Sequence, residues 1–253
     1  MTETARIYIG FDRKEIAAYH VLCQSILEKS SIPVSFTPIA LNNIQNIFTR
    51  PRNALQSTEF SFSRFLVPYL SGFEGWSLYL DCDMLVRTDI ARLWALRDDR
   101  FAAMCVKHNY RPKTETKFLK QVQTRYEKKN WSSVILFNNP KCRKLDPDYV
   151  NTATGLELHQ FKWLESDKLI GELPATWNWL VNEYDYQPDA DLVHFTDGGP
   201  YFDEYKNDDY AEEWFATRDR VCTPYCEPAP APAMLGAPPP GRTRLGRQGR
   251  SAA

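Results

Sequence analysis

No apolar run in this sequence approaches the ~20 residues that a helix needs to cross a bilayer. The opening stretch MTETARIYIGF has no charged head, long apolar run and small-residue cleavage site, so no secretory leader is expected and the expected location is cytoplasmic. An excess of either charge is missing as well: 31 Lys and Arg stand against 32 Asp and Glu, a net charge of -1. That balance speaks against a general nucleic-acid binder and against a polybasic membrane anchor. A disulfide framework is also absent. Cys23, Cys82, Cys105 and Cys142 are scattered, mostly in apolar runs, where a reduced thiol acts as a small hydrophobe. Cys222 and Cys226 have the spacing of half a zinc site, but no second pair or nearby histidine completes it. There is no internal repeat.

What is present is an α/β pattern. RIYIGF (Arg6–Phe11) reads as a strand, followed by a helical stripe of Ile16, Tyr19, Val21, Leu22, Ile26 and Leu27 with Asp12 as its expected cap. IPVSFTPIAL is a second strand interrupted by Pro38, and strand–helix–strand opens a parallel α/β sheet. Phe62, Phe65, Leu66 and Tyr69 form another helical stripe that ends near Gly72. SLYL is apolar on both faces, as a central strand should be. TDIARLWAL reads as a short helix, FAAMCV and SVILFN as buried strands, and the region from Pro147 to Leu164 as polar helix. ADLVHF (Ala190–Phe195) is the last strand, and a final helix lies in the stretch that ends at Val221.

At 253 residues the chain can bury a substantial core. We expect a single domain over 1–226, with halves of about 1–86 and 87–226. From Glu227 onward there are six prolines, four arginines, one acid and no aromatic residue. Residues 227–253 are therefore expected to be a disordered tail, dispensable or in weak contact with an acidic partner or membrane surface.

The stretch LYLDCDMLV puts Asp81 and Asp83 at the end of an apolar run, where a charge is costly. Two other D-x-D pairs, Asp146/Asp148 and Asp189/Asp191, have turn neighbours and read as structural. On a strand, residues i and i+2 point to one side, so the Asp81 and Asp83 carboxylates would repel unless a cation neutralised them. Ligands of open α/β sheets bind beyond the carboxyl ends of strands. A pair of hard oxygen ligands there suits Mg²⁺ or Mn²⁺; the alternative is a loop start with two solvated acids. His194, at the end of its own strand and ahead of Gly198 and Gly199, is either a hydrogen-bonded core residue or a third ligand that would favour Mn²⁺.

In motif order from about Arg6 to Trp214 the chain resembles the GT-A-fold glycosyltransferases of the family 8 type, the glycogenin and bacterial lipopolysaccharide glycosyltransferase group. Five stretches carry the resemblance: IYIGFDRKEIAAYHVLCQSI, EFSFSRFLVPYL, LYLDCDMLVRTDIARLW, WSSVILFNNP, and LPATWNWL with VHFTDGGPY. It implies a Rossmann-like, mixed but mainly parallel sheet flanked by helices. It further implies Asp81, Asp83 and His194 as metal ligands for Mn²⁺ or Mg²⁺, and Gly10 and Asp12 at the nucleotide of a UDP-sugar donor. Arg64 would lie at the phosphate or donor sugar, and Gly198 and Gly199 at the diphosphate. The sequence departs from the family in three places. DGGPYFDEY has no lysine for the leaving diphosphate. LHQFKWL carries His159 and Gln160 where an acid and a glutamine are usual. Ser132 and Ser133 replace an asparagine and a small residue.

The chemistry implied is transfer of a sugar from a nucleotide-sugar to a glycan or lipopolysaccharide-type hydroxyl, with retention. Arg64 and backbone amides near Gly198 and Gly199 would supply positive ends, and Gln160 would support the carbocation. Flat rings stack on sugar C–H faces, and Trp177, Asn178 and Trp179 are the residues expected near the acceptor; the alternative for the tryptophans is a place in the core. A non-catalytic nucleotide-sugar-binding module is a competing reading. A sugar-1-phosphate nucleotidyltransferase is another, but it calls for a glycine-rich basic loop after the first strand, and IGFDRKE has only Gly10.

Overall fold

The computed structural model describes residues 3–52, 56, 58–109, 113, 116–117, 121–122 and 126–223. The tail expected over 227–253, with Cys226, lies outside the described residues. In chain order the strands are β1 Ala5–Gly10, β2 Val34–Ile39, β3 Trp76–Leu80, β4 Met84–Val86, β5 Ala103–Cys105, β6 Thr116–Lys117, β7 Gln121–Val122, β8 Val134–Asn138, β9 Ile170–Glu172, β10 Trp179–Leu180 and β11 Leu192–His194. The α-helices are α1 Ile16–Lys29, α2 Val67–Leu70, α3 Ile90–Trp94, α4 Pro147–Thr152, α5 Gly155–His159 and α6 Ala211–Cys222.

The large sheet has the order β2-β1-β3-β8-β5-β9. Its neighbours pair in parallel except at β8, which runs against both β3 and β5. This is the mixed, mainly parallel sheet expected. A small sheet, β10-β11-β4, stands beside it. Pro38 sits in β2 at the sheet's edge, where its missing N–H costs no ladder bond on the open side.

Side-chain alternation in the central strands builds two core layers. Leu78 and Leu80 of β3 and Val134 and Leu136 of β8 join Ile7, Ile9, Leu22 and Ile26 on the face covered by α1. Tyr79, Ile135 and Phe137 point the other way, into Phe65, Leu66, Leu158, Phe161 and Trp163. A third cluster packs α6 on the small sheet, with Trp214 against Leu85, Val193 and Phe195.

Several elements differ from the sequence reading. The helix expected to start at Asp12 begins at Ile16, and its buried stripe is Ala18, Val21, Leu22, Ser25 and Ile26; Ile16 and Leu27 are exposed. The Phe62–Tyr69 stripe is a 3₁₀ turn, Ser63–Leu66, that runs into the four-residue α2, whose first turn holds Pro68. The polar helix after Pro147 is split at Ala153, because Thr154 caps a new helix by a reciprocal capping box with Glu157. Asp146 caps α4 through the Tyr149 N–H, the structural role read for it. No described helix is long and apolar enough to cross a membrane.

Ile9 is fully buried between β2 and β3. Ile9→Ala is expected to cost about 2–5 kcal/mol by leaving a cavity. Urea unfolding should show a lower midpoint with an unchanged slope. Leu96→Ala, at a 36% exposed position, should move the midpoint by less than about 0.5 kcal/mol equivalent.

Candidate active site

The chain leaves the large sheet at Leu80 and enters the small one at Met84, so Asp81, Cys82 and Asp83 form the link between the two. The aspartates are therefore not on a strand, as the i, i+2 reading supposed. Their backbones are still fixed: Asp81 N–H donates to Ser133 O (3.0 Å), and Asp83 O accepts from Phe195 N–H (2.9 Å). Cys82 between them turns into the core under α1. Both carboxylates are buried, and one ligand atom from each lies within 4.8 Å of one from His194. The separation between His194 Nε2 and Asp83 Oδ1 is 3.4 Å.

His194 is held from behind. Its Nδ1 is 3.0 Å from Asn178 Oδ1, while Asn178 Nδ2 donates to Ser133 Oγ (2.8 Å) and Asn130 O (3.3 Å). An amide whose nitrogen is committed to two oxygens offers its oxygen to the imidazole. A proton is therefore held on Nδ1, and Nε2 is the ring atom turned toward Asp83. Asn178 is fully buried and Trp177 lies in the core beside Leu173 and Leu192. These two placements correct the expectation of acceptor contacts. Trp179 is half-buried, its ring edge-on to Tyr184 at 5.0 Å.

Asp81 is gripped on its other side. Tyr79 Oη donates to it at 2.6 Å, and Arg64 Nη1 lies 2.9 Å from Oδ1 and 3.1 Å from Oδ2. Arg64 also donates to Ser132 O (2.9 Å). Burial opposes charge on this guanidinium, but Asp81, together with Tyr79 and Tyr126, outweighs it and raises its pKa. The Asp81 carboxyl is itself raised, by burial first and also by the nearby Asp83, against the opposing pull of Arg64, His194 and Tyr79.

Sequence reading missed Glu15. It is buried at the N-cap position of α1 without capping it, and accepts from Tyr201 Oη at 2.5 Å. Burial, then repulsion from Asp83, raises its carboxyl well above the usual range, with Asp12 and Asp81 adding to it. Nothing in DRKE distinguishes Glu15 from its exposed neighbours, because its burial depends on Tyr201, 186 positions away. Asp12 does not cap the helix. It accepts from Lys14 N–H and Glu59 N–H, tying the loop after β1 to the turn before Arg64.

Carboxylates gathered out of water stay charged only beside cations. Asp81, Asp83 and His194 offer two hard oxygens and an imidazole nitrogen aimed at one another. That donor set fits a Mn²⁺- or Mg²⁺-class ion.

The remaining expected residues are placed as follows. Gly10 ends β1 where a Cβ would come within 2.6 Å of the Phe60 ring and Tyr79 Oη. Gly198, at φ +143°, commits its N–H to Phe195 O, so this amide is not an available anion donor; that corrects the earlier expectation. Gly199 leaves room for the Tyr201 ring, which a Cβ would strike. Gln160 follows α5 and uses its carbonyl to accept from Lys128 Nζ. Its neighbour His159 lies toward Arg64, through a 2.7 Å bond to Ser132 Oγ. Burial first, then Arg64 and Arg50, pushes the His159 pKa down to about 3. Burial likewise pushes His108 down to about 3.

Two predictions follow from this geometry. An unfolded imidazole takes a proton below about pH 6.5, whereas buried His159 and His108 do so only near 3. Stability is therefore complete above about 6.5 and falls as the pH drops, by up to about 1.4 kcal/mol per pH unit for each histidine. Urea unfolding between about pH 7.5 and 5 should show the slope, and His159→Gln should reduce it by one proton's worth. Asn178→Ala should weaken Mn²⁺ affinity by roughly 10–100-fold, read by calorimetry with MnCl₂, because His194 loses the partner that sets its tautomer.

Comparison with known proteins bears on the fold. No protein-family model matches the sequence. The galactosyltransferase LgtC, solved with donor and acceptor sugar analogues, superposes with a TM-score of 0.57 at 14% identity, covering 86% of this chain and 96% of its own. GlyE of Streptococcus pneumoniae, in its apo form, gives 0.56 at 15% identity over 85% of this chain and 60% of its own. The bifunctional glycosyltransferase WbbM gives 0.54 at 14% identity over 86% of this chain and half of its own length. In sequence, Protein CDI of Arabidopsis thaliana is 47% identical over 218 residues, 83% of this chain and 84% of that protein. The chain belongs to the same family as Protein CDI of Arabidopsis thaliana, and its fold is the GT-A glycosyltransferase fold.

Proposed function

We propose that this protein is a metal-dependent glycosyltransferase that moves a sugar from a nucleotide-sugar, a UDP-sugar by resemblance, to a hydroxyl of a glycan acceptor with retention. The observation that carries the reading is the convergence of Asp81, Asp83 and His194 at the junction of the two sheets, with ligand atoms within 4.8 Å of one another. On this reading those three residues hold Mn²⁺ or Mg²⁺. Held there, such an ion would supply Lewis-acid neutralisation of the donor diphosphate.

The chain's own residues do the rest. Arg64, fixed by Asp81 and Ser132 O, presents a buried guanidinium beside the site and stabilises negative charge developing on the departing diphosphate. Asp12 and the Gly10 turn lie at the C-terminal end of β1, where α/β sheets bind nucleotides. The bond from the anomeric carbon to the phosphate oxygen breaks as the acceptor oxygen bonds to that carbon. The acceptor's proton passes to the departing phosphate oxygen. Gln160 near the sugar remains the reading from resemblance, and His159 beside Arg64 joins it as a neutral group. The family's missing lysine leaves Arg64 as the described side chain best placed to meet the diphosphate.

The test is a panel of UDP-, GDP- and CDP-sugars assayed for transfer and hydrolysis with and without Mn²⁺. Metal-dependent turnover is expected with at least one donor. Asp83→Ala should lower it by more than about 100-fold, since loss of an outer partner alone costs roughly 10–100-fold. Binding without turnover favours the non-catalytic module, and neither binding nor turnover ends the transferase reading.

A further inference from the structure

The Asp81–Asp83–His194 group stands between two polar walls. One, on the α1 side of β4, carries Asp12 and Glu15. The other is built by the turn after β10. Leu180 pairs with His194 across the small sheet, and Tyr184 N–H returns to Leu180 O at 3.0 Å. Glu183 is therefore carried past the open end of β11.

Glu183 is 5% exposed. Its Oε2 accepts from Lys113 N–H (3.0 Å), while Oε1 is buried with no hydrogen-bond partner among the described residues. A buried carboxylate oxygen without a donor is costly enough to call for a ligand. Around it lie Lys129, buried and acting on its charge, and Asp197, which with burial raises the Glu183 carboxyl. Tyr184 Oη meets His108 Nδ1 at 2.8 Å, and Asn130 Nδ2 donates to Thr196 Oγ1, two residues past His194. Three non-glycine residues here have left-handed backbones: Lys128 (φ +60°) and Asn130 (φ +60°) flank Lys129, and Asn182 (φ +68°) precedes Glu183. Such strain persists only where surrounding structure fixes it, and it gathers at ligand sites.

We propose that Glu183, Lys129 and the Tyr184–His108 pair are the acceptor-recognition subsite, and that it takes vicinal hydroxyls of a neutral sugar ring. Glu183 Oε1 accepts from one hydroxyl, the Lys129 ammonium donates to its neighbour, and the Trp179 edge against Tyr184 gives the ring's C–H face an aromatic border. The charge pattern selects this ligand over a second part of the donor. Glu183 and Asp197 are offset by Lys129 and Lys113, so the subsite carries no excess positive charge to hold a diphosphate, whereas a polyol is indifferent to that balance and satisfies the orphaned oxygen.

The inference rests on the transferase reading, so the experiment separates the two. Calorimetry of UDP, GDP and CDP with MnCl₂ on the full chain comes first, and absence of metal-dependent binding of all three overturns both. With binding present, the donor that turns over is assayed against methyl glucoside, galactoside, mannoside and xyloside. The wild type should transfer to at least one of them. Glu183→Gln, nearly isosteric and still able to accept from Lys113 N–H, should lower the ratio of transfer to hydrolysis at least tenfold and raise the KM for the glycoside. Tyr184→Phe, a milder change, should raise the same KM severalfold. An unchanged ratio in both variants overturns the proposal. So does a wild type that binds one of these nucleotides while no glycoside is either glycosylated or inhibitory to donor hydrolysis.

Discussion

Three residues join two sheets, and that join constrains everything around the site. Asp81 still belongs to the β3–β8 ladder through Ser133 O, and Asp83 already belongs to the β4–β11 ladder through Phe195 N–H. With only Cys82 between them, and its side chain in the core, neither aspartate's backbone can shift without disturbing a sheet. The histidine that completes the group is the last residue of β11, the strand that pairs with β4. A site assembled this way is positioned by backbone hydrogen bonds rather than by flexible loops, as a metal–diphosphate centre requires.

The immobility comes at a cost in electrostatics. Asp12, Glu15, Asp81 and Asp83 are all nearly inaccessible to water. Asp12 is satisfied by two peptide N–H groups, Asp81 by Arg64 and Tyr79, and Glu15 by Tyr201. Glu15 and Asp81 nevertheless keep raised carboxyls, because burial and the neighbouring acids make their charged forms costly. A divalent cation entering this group would be compensated at once. Burial of this kind serves function more than stability, because an apolar replacement of similar volume is commonly no less stable.

The sheet and the acid pair were legible in the sequence because they rest on local pattern. LYL and VILF announce buried strands, and Asp81 and Asp83 are conspicuous where they interrupt one. The orientation of Asn178 was not legible. TWNWL reads as an aromatic surface, and only the fold shows that its asparagine turns inward to Ser133 and His194. Glu15 was hidden for the same reason, since its partner comes from the far end of the domain. Asp12 misled through its helix-capping chemistry: it does accept backbone N–H bonds, but one comes from Lys14 and the other from a different segment, at Glu59. The role of β8 as the reversed strand also rests on tertiary pairing, which no run of apolar residues declares.

The gap at Gly10 has a reach that its own strand does not suggest. The ring of Phe60 and the hydroxyl of Tyr79 fill the space where a side chain would begin, and that same hydroxyl holds Asp81. A single methyl added at the end of β1 would press on the phenol and, through it, on the carboxylate that follows the neighbouring strand β3. The missing atoms of one residue thus act as a gauge block for the Asp81–Asp83–His194 group. A Gly10→Ala protein could remain folded and yet carry its acid pair out of alignment.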